Sequence, residues 1–192
     1  DRMIVDVQGR NLQLFPTTTD GAVQSTALAS TVPARLPLTS GAPQATSAIR
    51  ISANLPADAP IIADKPIYTA SNPYVFDRND PSTFNARTSV TVFDSLGTPL
   101  AATIYYVKDS VPSVGDPFHR WTARAFVGNT ELTVAGTPGI PLEFDVNGVL
   151  TNPTTPFPFD AFTPDTGASA MAIAVDHGTA TVQQAGPFSL AL

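Results

Sequence analysis

SVTVFDSLGTPLAATIYYVKDS, residues 89–110, is the stretch whose reading decides the fold. Val90 and Val92 fall on one side of an extended chain and Thr91 and Phe93 on the other, the two-residue alternation of a pleated strand. Asp94-Ser95-Leu96-Gly97 then reads as a turn: an aspartate at the first position bonds its own backbone, and a glycine three residues on accepts positive φ. A type I turn with a bulge at Gly97 sends the chain back through Leu100 to Lys108. On that return strand Leu100, Ala102, Ile104 and Tyr106 oppose Ala101, Thr103, Tyr105 and Val107, so both faces carry apolar surface. One face is expected to pack inward and the other to meet a neighbour, which another sheet of the same domain would satisfy. No group in the hairpin is suited to catalysis.

Bulk composition narrows the class. The 192-residue chain suits one or two domains and is long enough to bury a core. Hydrophobic residues make up 43% and charged residues only 14%, against about 25% charged in ordinary soluble domains. The polar surface therefore rests on Thr, Ser, Asn and Gln. With a net charge of −6, a pI near 4.6 and lysine only at Lys65 and Lys108, the chain is not built to hold nucleic acid. Affinity for phosphate backbones comes largely from counterion release by Lys and Arg. Cysteine is absent, which excludes disulfides and thiolate metal sites. No apolar run approaches the roughly 18–20 residues of a membrane-crossing helix. The start, Asp1-Arg2-Met3, lacks a basic-then-apolar leader and reads as a mature chain or an excised piece of a longer one.

Turn signals recur at short intervals: Asp20-Gly21, Asp94 to Gly97, Gly128-Asn129, Asn147-Gly148 and His177-Gly178. Between them lie short runs rich in Val, Thr, Ile and Phe, and 19 prolines interrupt any helical pattern. These features predict an all-β chain, a short-stranded sandwich or barrel domain with part of a second small β domain. Residues 1–43 are assigned to a partial inner β domain and crossing segment, and 44–192 to an outer β domain carrying the 89–110 hairpin. Residues 168–175 are rich in alanine but alternate and end β-branched, so they read as strand. Residues 27–46 read as a linker or extended crossing. The proline-rich stretch 56–87 carries Tyr68, Tyr74, Phe76 and Phe84, and 151–167 carries Phe157, Phe159 and Phe162. Loops of that length are ordered by packing their own rings on a scaffold or by a partner.

Catalytic patterns fare poorly. Asp165-Thr166-Gly167 matches the D-T-G of aspartic proteases, whose chemistry needs two carboxylates sharing one proton. A single copy preceded by Phe162-Thr163-Pro164 reads instead as a turn. His119 and His177 have no second ligand at helical or hairpin spacing. Asp145-Val146-Asn147-Gly148 lacks the later donors of a calcium loop and reads as a hairpin turn. Neither G-x-S-x-G nor a glycine-rich phosphate loop is present. No enzyme, cofactor or metal is expected. Trp121, in the alternating run RWTARAF at 120–126, has two readings: a core ring, or an exposed platform for stacking a sugar in an adhesive module.

Taken in order, the motifs carry a resemblance. STFNARTSVTVFDSLGTP (82–99), IYYVKDS (104–110), RWTARAF (120–126), PLEFDVNGVL (141–150) and VDHGTATVQQAG (175–186) together resemble the outer part of the bacterial flagellar hook protein. Upstream, ATSAIRISANLPAD (45–58) is similar to that family's Thr-rich strand into the second outer domain. RMIVDVQGRNLQLFP (2–16) is similar to the end of the more inward domain. Phe84 stands where the family usually has Tyr, and the last segment departs from its Gly-x-x-Gln form. The resemblance implies an extracellular, mechanical protein that assembles with copies of itself into a helical tube and meets other flagellar axial proteins. From the charge and the lack of a long apolar run, no nucleic-acid or membrane partner is expected. The family's terminal helices are not among these residues, so the isolated piece is expected to be monomeric. Tyr74, Phe76, Phe84, Phe157, Phe159 and Phe162 are the candidate subunit contacts, with packing on the domain's own sheet as the other reading. A flagellar rod or cap component would share the hairpin.

Overall fold

A computed structural model describes residues 2–18, 20–36 and 41–190. Among the described residues the regular structure is strand, apart from two short 3-10 turns, and no sheet closes into a barrel. The chain divides into two units, Asp1–Ala42 and Pro43–Leu192.

In the first unit β1 (Gln13–Leu14) pairs antiparallel with β2 (Val32–Pro33). Bridges Met3 to Arg35 and Val5 to Asn11 extend the pairing, and Ala34 is buried. Residues 27–36 hold a 3-10 turn at Leu28–Ser30 as well as β2. Residues 37–40, also in the stretch read as a linker, lie outside the described residues.

The second unit opens with β3 (Ala48–Arg50) and β4 (Ala53–Pro56), then a long loop, then β5 (Ala86–Phe93), β6 (Pro99–Ser110) and β7 (His119–Val127). Short strands β8 (Thr130–Glu131), β9 (Thr133–Val134) and β10 (Thr137–Pro138) lead to β11 (Ile140–Phe144) and β12 (Leu150–Asn152). The chain ends with β13 (Phe157–Pro158), β14 (Ala174–Asp176), β15 (Val182–Gln184) and β16 (Ser189–Leu190). The main sheet is antiparallel in the order β12-β11-β7-β6-β5, with β8 on β7. Its register sets Val90 opposite Ala102, Tyr106 opposite Ala123 and Trp121 opposite Leu142.

Period-two alternation decides what this sheet buries. Ala102, Ile104 and Tyr106 of β6 share a face with Trp121, Ala123 and Ala125 of β7 and with Ile140, Leu142 and Phe144 of β11. All nine are buried, in one cluster with Ile49, Ile51, Leu55, Ile173 and Val175 from the smaller sheets. Burying a large aliphatic or aromatic side chain contributes roughly 1.5–3 kcal/mol, so the six large side chains of this face contribute about 9–18 kcal/mol before the entropy of ordering them. Met171, Ile173, Val175 and His177 are likewise buried at every second residue. Regular pairing in the 168–175 stretch begins only at Ala174, after a bridge from Met171 to Phe162.

Two chain segments lie side by side in parallel. β14 pairs with β3, and after a step in both segments β15 pairs with β4. The step breaks the ladder, and Thr181 mends it. Its Oγ1 accepts from Ala53 N at 3.2 Å and donates to the carbonyl of His177, wholly buried.

The turns repeat one device. Asp94 Oδ1 accepts from Leu96 N and Thr98 N, both at 2.9 Å, while Gly97 N donates to Asp94 O. Asp145 Oδ1 accepts from Asn147 N and Val149 N, both at 2.9 Å. In the first unit Asp6 Oδ1 accepts from Gln8 N and Arg10 N at the same distance. In each turn the fourth residue is a glycine at positive φ: Gly97 at 81°, Gly148 at 76° and Gly9 at 80°. Such bonds to the charged carboxylate hold all three aspartates below the usual carboxylate range. The largest cause is Thr166 at Asp94, the backbone of Val149 at Asp145 and the backbone of Arg10 at Asp6.

Candidate functional site

On the face of the hairpin that does not point into the core, the chain's own long loop covers the end around Tyr105, while Arg87, Ser89, Thr91, Phe93 and Ala101 stay exposed. Phe76 and Phe84 pack against Tyr105 at 5.5 and 4.9 Å between ring centres, both edge-on, and Phe76 stacks on Phe126 at 6.1 Å. Two guanidinium groups flank this pair of rings. Arg124 lies 4.3 Å over Phe76, and Arg78 lies 5.3 Å over Phe126. Each arginine is also tied down: Arg124 Nε donates to Glu131 at 2.6 Å, and Arg78 donates to Gly128 O and Asn129 Oδ1. Cation–π pairs of this kind contribute about 0.5–2 kcal/mol each, depending on desolvation.

Hydrogen bonds finish the seal. Tyr74 Oη donates to Thr83 O at 2.8 Å, and its ring meets Tyr68 edge-on at 5.3 Å. Burial pushes the Tyr74 phenol up to about 12. Lys65 Nζ donates to Ser82 O at 2.6 Å. Asp80 caps the 3-10 turn Pro81–Thr83 by accepting from Ser82 N. A loop of some thirty residues is thereby fixed to the sheet through Phe76, Phe84 and Arg78, with Tyr74 bracing the loop from within. Phe157 and Phe159 meet edge-on at 5.6 Å; Phe159 belongs to the core cluster and Phe157 and Phe162 pack against it. The structure thus brings Tyr74, Phe76 and Phe84 together on one face and places Phe157, Phe159 and Phe162 at the margin of the core.

Of the residues weighed for chemistry, Thr166 is tied into the fold by a hydrogen bond, and Trp121 and His177 are buried in it, with Trp121 Nε1, His119 Nδ1 and His177 Nδ1 left without a hydrogen-bond partner among the described residues. Thr166 of the D-T-G stretch donates its hydroxyl to Asp94 Oδ2 at 2.6 Å, and Ser169 N donates to Ser95 Oγ at 3.0 Å. The protease-like motif is the clamp that holds the tip of the 94–97 turn. Trp121 is 1% exposed on the core face, which overturns the sugar-platform reading: a ring between β6 and β11 cannot stack on a ligand. Lys108 is 2% exposed; its Nζ donates to Ala57 O at 2.7 Å and lies 5.8 Å from the Trp121 ring centre. Burial pulls its ammonium below the ordinary lysine range, offset in part by Asp58. Sequence reading missed this lysine's role; its place among core-facing alternates of β6 was the available signal. His177 is 1% exposed, with Nε2 3.4 Å from Tyr106 Oη, and burial lowers its pKa to about 4. Among the described residues no three His, Cys, Asp or Glu side chains converge as metal ligands.

The polar side chains Lys65, Tyr74, Arg78, Lys108 and Thr166 all bind other parts of the same chain, as in a structural β module. Residues 54–191 match the family model described as the flagellar basal body protein FlaE D2 domain, and the chain belongs to that family of flagellar hook-type structural domains. It is a family of structural domains rather than of enzymes. No individual curated protein matches the chain significantly.

Proposed function

We propose that this chain is the outer β portion of a flagellar hook subunit, a joint outside the cell that bends while passing motor torque to the filament. The family match across 54–191 carries this reading. Torque transmission needs modules that keep their shape while the contacts between them slip. The turn clamps at Asp94 and Asp145, and the loop sealed over Tyr105 and Phe126, supply shape. A chain with only 14% charged residues offers contacts that break and re-form without separating strong desolvated ion pairs.

Full-length subunits assemble with copies of themselves and with other axial proteins, while the separate outer portion stays monomeric. The two domains divide near residue 43, the first being part of an inner β domain. Subunit contacts are assigned to the loop from Asn72 to Phe84 and to the segment from Phe157 to Phe162. There the half-buried rings Tyr74, Phe76, Phe84, Phe157 and Phe162, with buried Phe159, hold neighbours such as the exposed Val75 in a fixed position. Nucleic acid and membrane play no part. The test is to label the full-length protein in purified flagella and to image hooks carrying Tyr74→Ser and Phe76→Ser. Label on the hook with altered curvature supports the reading; label elsewhere refutes it.

A further inference from the structure

Asn147-Gly148 is the one Asn-Gly pair in the chain. An asparagine followed by glycine is chemically unstable in a free peptide, because no Cβ on the next residue shields its backbone nitrogen from the asparagine side chain. Deprotonated, that nitrogen attacks the side-chain carbonyl carbon. A C–N bond forms, a five-membered succinimide closes, and the side-chain nitrogen takes up the proton and leaves as ammonia. One water then opens the ring. Attack at the side-chain carbonyl gives an ordinary aspartate; attack at the main-chain carbonyl gives isoaspartate, whose backbone runs through Cβ and Cγ. The reaction consumes water alone and changes no oxidation state.

The fold keeps the two reacting groups on opposite sides of its surface. Asn147 is exposed, whereas Gly148 is buried against Gln183. Gly148 N donates to Asp145 O at 2.9 Å, so its proton points into the turn and away from water. Asn147 Nδ2 donates to Asp145 Oδ2 at 3.3 Å and Asn147 N to Asp145 Oδ1 at 2.9 Å. The asparagine is held toward Asp145, and that carboxylate opposes a second negative charge on the Gly148 nitrogen. On its far side Gly148 O accepts from Gln183 N at 2.8 Å, and Val149 bridges to Val182. Rotating Gly148 N onto the side chain of Asn147 breaks this set of contacts.

We propose that Asn147 is a site of spontaneous deamidation gated by the Asp145 turn, which withholds the Gly148 nitrogen while closed and cannot close again once isoaspartate has formed. Isoaspartate adds one carbon to the main chain between residues 147 and 148. It also replaces the amide that donates to Asp145 with a second carboxylate. Gly148 is seated where even an added Cβ would collide with the carbonyl oxygen of Gln183, so a longer chain does not fit the same seat. The product turn therefore stays off β15. Nothing in this inference depends on the hook reading, since it concerns the chain by itself.

The chain is incubated in warm, mildly alkaline buffer, folded or in urea, and peptide mapping by mass spectrometry separates its asparaginyl, aspartyl and isoaspartyl forms. Folded chain is expected to react at Asn147 about a hundredfold more slowly than unfolded chain, the factor set by the two bonds from Asn147 N and Val149 N to the Asp145 carboxylate. Equal rates overturn the proposal. Asp145→Ala is expected to restore at least about tenfold of the lost rate. Asp6→Ala, which removes the same device from the first unit, is expected to change nothing. An Asp145→Ala chain that keeps its circular dichroism and reacts at the wild-type rate overturns the gate. Hydrogen exchange tests the wild-type chain without any variant, because exchange and ring closure both need the Gly148 N–H set free. Its protection is expected to match the slowing of deamidation; protection far above that slowing means the closed turn reacts, and the proposal fails. In the isoaspartyl fraction the amide of Gln183 is expected to lose its protection, and wild-type protection there refutes the one-way step.

Discussion

Gly148 offers a quantitative check on how the small parallel strands are held against the main sheet. A Cβ built there would lie 1.9 Å from the carbonyl oxygen of Gln183, and the backbone is at φ +76°. That oxygen cannot simply retreat, because Gln183 N donates to Gly148 O at 2.8 Å and Gln183 sits beside Leu55 in the parallel pairing. Gly136 gives a matched control, at the same φ of +76° with nothing within 4 Å of its Cβ position. Gly136→Ala should cost only the left-handed backbone penalty, roughly 1–2 kcal/mol. Gly148→Ala carries that penalty and an overpacking cost of about 1–3 kcal/mol, since the clashing atom is backbone. For a unit of this size the difference corresponds to about 2–12 °C in melting temperature. Thermal melts and urea titrations of the two variants measure it, with unchanged urea m-values showing that the denatured state is unaffected. Equal losses for both variants would refute the reasoning, because strand and turn would then move apart without cost.

Other outcomes follow from the buried polar groups and the sealed loop. His177 has its pKa lowered to about 4, so the unfolded chain takes up a proton that the folded chain refuses. Stability is full above pH 6.5 and falls by about 3 kcal/mol as the pH drops to about 4. His119, also lowered by burial, adds to the same slope, and His177→Gln should flatten it in pH-dependent urea titrations. Thr181→Val keeps volume but orphans the buried Ala53 N–H, and should cost about 1–3 kcal/mol by chemical denaturation. Phe76→Ala removes the ring that joins Tyr105, Phe84, Phe126 and Arg124. The half-buried site should lose about 2 kcal/mol, less than a core Phe→Ala, and limited proteolysis should cut first between residues 63 and 84. Asp94 and Asp145, held below the usual carboxylate range, keep their turns intact above pH 4; turn-amide exchange should accelerate only as the pH falls below that.

What could be read in the chain depended on the range of the interaction. The 89–110 hairpin was legible because alternation and turn chemistry are local: Asp94, Gly97 and the buried alternates of β6 stand where the pattern puts them. Asn147-Gly148 was legible for the same reason. The Asp6 to Gly9 turn carries the same spacing, aspartate then glycine three residues on, and went unnoticed because no long strand flanks it. The parallel pairings of β14 with β3 and β15 with β4 join residues more than a hundred positions apart, and nothing local announces them. Thr181 and Gly148 have their roles only in that pairing. The aromatic loop was half legible: Tyr74, Phe76 and Phe84 signalled order, but which surface they cover depends on the outward-facing Tyr105 and Phe126.

The same distinction bears on how the module stays stiff. A two-stranded ribbon resists bending poorly by itself, since its only lateral constraint is one ladder of hydrogen bonds. Here the β5–β6 ribbon is braced on three sides: β7 along its other edge, core residues beneath it, and the stack of Arg78, Phe126, Phe76 and Arg124 above. Its tip is pinned separately by Thr166 on Asp94 and by Ser95 Oγ on Ser169 N. A load applied at the tip must therefore break contacts from residues 166–169 before it can hinge the ribbon. Stiffness within the module then comes from these long-range clamps as well as from the strand ladder itself.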